Sequence, residues 1–140
     1  MVVMMPKRVK FRKSQRGRIR GNATSGDFVA FGDYGLMSLE PGFISAQQLE
    51  SARIVCSRYL GGLGRYWIRV FPHKSLTARP AESRMGKGKG EIVKWVAVIK
   101  PGTVIFELGG VDETVAREVF RRQAGKLSLR VKLVKRRPTV

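Results

Sequence analysis

The chain has one cysteine, Cys56, and one histidine, His73, in 140 residues. A single thiol closes no disulfide within the chain, so the fold does not rest on one and a reducing compartment is expected. A lone histidine leaves a catalytic triad or a histidine metal cluster without partners. Acids are also scarce, with 10 Asp+Glu against 28 Lys+Arg. They are scattered, and helix capping accounts for two of the nearest group, Glu107, Asp112 and Glu113. No apolar run reaches the roughly 18 residues of a spanning helix. The opening Met1-Val2-Val3-Met4-Met5 stops at Pro6 and lacks a signal peptide's basic-then-apolar order. These absences leave no residue basis for an enzyme, a cofactor, a bound metal or a membrane anchor, and no homo-oligomer is expected.

What is present is positive charge. The net charge is +18 and the pI near 11.3. Such a charge opposes compact folding unless a polyanion neutralises it, and nucleic acid fits that part. Hydrophobic residues still make up 43% of the chain, enough for a core. At this length one domain is expected, burying roughly two-thirds of its unfolded surface. The expected division is a basic extension over 1–26, an α+β domain over 27–136 with a protruding loop at 73–91, and a short tail at 137–140.

In the extension, Lys7, Arg8, Lys10, Arg12, Lys13, Arg16, Arg18 and Arg20 stand among few apolar residues and no acids. A merely solubilising surface usually mixes signs, so this arm reads as a nucleic-acid contact. Asp27–Phe31 and Leu36–Glu40 read as two strands, with hairpin-turn residues at 32–35 between them. Phe28 and Phe31 are placed in the core or at its edge. Ser45, with Gln48 three residues on, opens a helix over about 46–60, whose apolar positions are Leu49, Ala52, Cys56, Tyr59 and Leu60. Strands follow at about 65–71, with Trp67 buried, then at 92–99 and 103–107, the last two joined by Lys100-Pro101-Gly102. Asp112 caps a second helix, about 113–124, with Val115, Ala116, Val119, Phe120 and Ala124 inward. A last strand covers about 128–134.

Residues 79–90, Arg-Pro-Ala-Glu-Ser-Arg-Met-Gly-Lys-Gly-Lys-Gly, are the most specific segment. Arg79, Arg84, Lys87 and Lys89 ask for an anionic partner. Gly86, Gly88 and Gly90 remove side-chain bulk and let the backbone come close to it. A nucleotide P-loop is excluded, because no Ser or Thr follows Lys89 and the next segment reads as a strand rather than a helix.

These residues carry a resemblance. Pro6-Lys7-Arg8-Val9-Lys10-Phe11-Arg12-Lys13, Phe31-Gly32-Asp33-Tyr34-Gly35-Leu36, Trp67-Ile68-Arg69-Val70-Phe71-Pro72 and Arg84-Met85-Gly86-Lys87-Gly88-Lys89-Gly90 are similar to motifs of the bacterial and organellar large-subunit ribosomal proteins of the L-sixteen family. The resemblance covers about residues 5–136. It implies an α+β fold, a twisted mixed or antiparallel sheet packed by two helices. It implies binding to large-subunit rRNA near the aminoacyl-tRNA site and the peptidyl-transferase region, in support of subunit assembly and tRNA accommodation. The arm and the loop, with Met85 among the loop's contacts, are the implied RNA-binding residues. Aminoacyl-site tRNA and neighbouring large-subunit proteins are the other implied partners, on a cytoplasmic or organellar ribosome.

Overall fold

The computed structural model describes residues 4–82, 84–86 and 88–137, so Lys87 and the tail residues 138–140 lie outside the described residues. The elements run β1 (Tyr34–Ser38), β2 (Gly42–Ser45), α1 (Ala46–Leu60), β3 (Arg65–Ile68), β4 (Lys74–Ala78), β5 (Glu91–Ile99), β6 (Val104–Gly109), α2 (Glu113–Ala124) and β7 (Val131–Lys135). This is the expected α+β class. The strands divide into two sheets, β3-β6-β1-β7 and β2-β5-β4, and every pairing is antiparallel.

Both helices start where their sequence says. The Ser45 hydroxyl accepts from the Gln48 N–H at 3.2 Å, and the Gln48 side chain accepts from the Ser45 N–H at 2.9 Å. This reciprocal pair satisfies two donors that a helix start otherwise leaves open. Gly61 ends α1 at φ 58°, the left-handed conformation that glycine tolerates best. Leu49, Ala52, Cys56 and Leu60 are buried as expected. Tyr59 is not: it lies 39% exposed, with the Arg122 guanidinium 4.6 Å from its ring centre. In α2, Asp112 holds the N-cap position without a side-chain hydrogen bond. Gln123, a residue the apolar pattern passed over, is fully buried and donates to the Ala52 carbonyl at 3.0 Å, tying α2 to α1.

One core joins the helices to both sheets. Leu36, Phe106 and Leu108 of the larger sheet meet Ile44, Ala97 and Ile99 of the smaller and Leu49, Ala116, Val119 and Phe120 of the helices. The Lys100-Pro101-Gly102 turn closes through Thr103 N–H to the Lys100 carbonyl, 3.1 Å, with Gly102 at φ 94°. It carries the chain from the smaller sheet into the larger.

Three further expectations need correction. Residues 27–31 form no strand, and 32–35 is no hairpin turn, because β1 pairs with β6 and β7 instead. The backbone N–H groups of Ala30, Phe31 and Gly32 donate to the Glu107 carboxylate at 2.9, 2.7 and 3.0 Å, so a side chain takes the place of a ladder partner. Glu107 is thereby fully buried, beside Arg69 at 3.6 Å. Phe28 and Phe31 are 53% and 58% exposed rather than in the core, and Trp67 is only half-buried. Finally, β4 is a strand that the sequence did not announce, and it rather than β3 leads into the Gly/Lys loop.

Candidate nucleic-acid interface

Residues 4–33 contain no helix or strand, yet the arm is placed by its backbone. The Ser75 hydroxyl donates to the Arg12 carbonyl, and Lys74 Nζ donates to the Arg16 carbonyl at 2.7 Å. Further on, the Ala23 N–H donates to the Pro101 carbonyl at 2.9 Å. Ser75 and Lys74 belong to β4, the edge strand of the smaller sheet. Both contacts come from β4 side chains, so the arm is tethered beside that edge strand.

β4 also leads into the loop at 79–90, so it sets the arm beside the loop. Lys13 Nζ lies 3.4 Å from the Lys89 carbonyl, a direct contact between the two segments. Within the loop, Arg79 turns inward and donates to the Arg84 carbonyl at 3.2 Å and to the Gly88 carbonyl. Arg79 therefore braces the loop, while Arg84, Met85 and Lys89 face out, Met85 completely. Gly86 and Gly88 sit at φ 111° and 86°, and nothing lies within 4 Å of where a side chain would begin. The loop's path needs glycine there for its backbone angles, and the space outside is open. Lys87, the other expected contact, is outside the described residues.

The electrostatics separate these segments from the rest. Lys7, Arg8, Lys10, Arg12, Lys13, Arg16, Arg18 and Arg20 are all exposed. Among the described residues, no ion pair involves them, Arg79, Arg84 or Lys89; each ion pair lies between Glu40 and Lys135. Such unpaired cations on an irregular backbone suit phosphate neutralisation, with counterion release as the driving term. The residues set aside as catalysts behave as structural ones. Burial pushes the Cys56 thiol up to about 11, far from a reactive thiolate. His73 Nδ1 lies 3.0 Å from the Phe71 carbonyl on the surface.

Residues 6–134 match the family described as Ribosomal protein L16p/L10e. The chain belongs to that family. Within it, the large ribosomal subunit protein uL16 of Thermosipho melanesiensis is 57% identical over 134 residues, covering 96% of this chain and 94% of that protein. The uL16 of Rhodopirellula baltica is 54% identical over 136 residues, covering 97% and 99%. The L16p/L10e match spans the arm, the loop and the folded body together. Its proteins are ribosomal and structural, not enzymes, and the relatives are of the bacterial type.

Sequence reasoning missed one group in this L16p/L10e chain. Phe31, Trp67 and Arg69 come together on the larger sheet, with Phe31 stacked on Trp67 at 6.1 Å and Arg69 at 4.6 Å from its ring centre. The signal available was the alternation of Trp67 and Arg69 with the inward Tyr66, Ile68 and Val70.

Proposed function

We propose that this chain is a structural component of the large ribosomal subunit. It binds large-subunit rRNA near the aminoacyl-tRNA site and the peptidyl-transferase region. There it supports subunit assembly and tRNA accommodation, with aminoacyl-site tRNA and neighbouring large-subunit proteins as further partners. The observation that carries this reading is the joining of arm and loop across β4. Two basic segments far apart in the chain meet through Lys74, Ser75 and the Lys13–Lys89 contact. Among the described residues, the surface they form holds cations without carboxylate partners.

Arg12, Arg16, Arg84, Lys87 and Lys89 are the first-choice RNA contacts. Arg84 is suited to a bidentate or stacked contact, since guanidinium does both. The glycines at 86 and 88 permit close backbone approach. Folded RNA is read largely by shape and by its loops and bulges, so no strict sequence code is expected.

Sedimentation of a lysate on sucrose gradients at low and high salt tests the proposal. Co-migration with large subunits at about one copy each, resisting moderate salt, is the expected result. Recovery at the top of the gradient, or loss in mild salt, would point instead to an RNA-binding factor that cycles on and off its target.

A further inference from the structure

We infer that Phe31 is a stacking platform for one unpaired RNA base, a second recognition site on the folded body, distinct from the arm and the loop. The inference rests on the RNA-binding reading above and deepens it. Trp67 and Arg69 are two residues apart in extended chain, so they project from the same side. Tyr66, Ile68 and Val70 alternate with them and pack on the core. Phe31 lies across that outward pair, Trp67 at an interplanar angle of 26° and the Arg69 guanidinium 4.6 Å from the ring centre. Trp67 and Arg69 cover part of the ring, and 58% of the residue remains exposed, which leaves surface for a base to stack on.

The platform is held in place from below. The N–H groups of residues 30–32 converge on the buried Glu107 carboxylate, which fixes the backbone on which the ring stands. The next residue must be glycine, since a Cβ at Gly32 would lie 2.4 Å from the Leu108 carbonyl oxygen. An exposed aromatic ring on a loop ordinarily relaxes into the core or moves freely. This one stands on a fixed backbone against Trp67 and Arg69 and stays more than half exposed.

The surroundings favour a nucleotide over an apolar protein side chain. A shallow hollow beside the ring is lined by Asp33, Arg65, Trp67 and the glycines 64, 109 and 110, and the Asp33 carboxylate also accepts from the Gly110 N–H at 3.3 Å. Arg65 is exposed and, among the described residues, makes no ion pair, so it is free to meet a phosphate. The glycine backbone allows a flat base to come close. Aromatic faces accept any base, at a gain that amounts to roughly tenfold in affinity or more.

The test uses the full chain and two short RNA duplexes, identical except that one carries a single unpaired adenosine. The wild-type protein is expected to prefer the bulged duplex by roughly tenfold. Phe31→Leu, which keeps an apolar cover on Trp67, is expected to abolish the preference without changing the salt dependence. Phe31→Trp is expected to retain it, with the emission of the introduced indole quenched by the bulged duplex alone. Equal binding of both duplexes by wild type, or a preference that survives Phe31→Leu, overturns the platform while leaving the RNA-binding reading intact. Failure to bind either duplex in a salt-dependent way overturns the RNA-binding reading itself.

Discussion

Arginine serves opposite purposes in α2 and in the N-terminal arm. On α2, Arg117 meets Glu113 at 2.7 Å, and Arg121 and Arg122 meet Glu118 at 2.7 and 3.0 Å. The spacings are three and four residues, the separations at which helical side chains are neighbours. The arm has no acid before Asp27 and, among the described residues, no helix and no carboxylate partner. The arm is held instead through its carbonyls at Arg12 and Arg16, which leaves its cationic side chains exposed, Lys13 reaching the loop carbonyl of Lys89. Regular structure lets a basic protein neutralise its own charge, while backbone anchoring of an irregular segment preserves that charge for a polyanion.

The contrast is broken most strongly by removing the arm's charge. Arg12, Lys13, Arg16 and Arg18 changed together to Gln keep the carbonyl contacts. Affinity for large-subunit rRNA should fall roughly hundredfold or more, and the slope of log affinity against log salt should flatten by about three, at roughly 0.7–0.9 per lost phosphate contact. The urea midpoint of the body should hardly move. An unchanged slope would place the phosphate contacts elsewhere.

The body answers differently. Glu107→Ala strands three N–H donors and Arg69 in a buried site and should cost about 3–5 kcal/mol in urea unfolding. A loss below about 1 kcal/mol would mean that the 30–32 segment is held by something else. Ser45→Ala removes half of the α1 capping pair and should cost about 1 kcal/mol by the same measurement, with rRNA affinity at moderate salt unchanged.

The smallest effect belongs to the α2 ion pairs. Hydrogen bonds from Arg121 and Arg122 hold the Glu118 carboxyl down from 4.5 to about 2. A depressed carboxyl contributes stability that is complete above its unfolded value and is lost as pH falls through the folded one. The wild-type chain should therefore lose slightly more stability than Glu118→Gln between about pH 4.5 and 2, and less so in high salt. Parallel acid curves for the two proteins would show that the pairs contribute nothing measurable.

Much of the fold is legible in short stretches of sequence. Ser45 and Gln48 set one helix start, Gly61 its end, and Pro101-Gly102 a turn, because each effect acts within a few residues. Charge density likewise marks the arm and the loop as surface. The errors share a different cause. Asp27–Phe31 alternates like a strand, but the donors of Ala30–Gly32 find a carboxylate 75 or more residues away. Phe31 is as apolar as Phe106; one is open to solvent and the other buried, and nothing local distinguishes them. β4 is missed because Lys74-Ser75-Leu76-Thr77-Ala78 has little apolar alternation, and its strand form comes from pairing with β5.

By itself, then, the sequence determined where the helices begin and stop, that a core exists, and that the excess charge is concentrated in two segments. These follow from local hydrogen bonding, side-chain periodicity and Coulomb repulsion, none of which needs a distant partner. Only the tertiary structure decided that the strands form two antiparallel sheets, that the arm lies against β4 beside the loop, and that Phe31 faces outward over Trp67 and Arg69. Those outcomes depend on which buried donor or acceptor meets which group across the chain, a pairing set by the closure of the whole core.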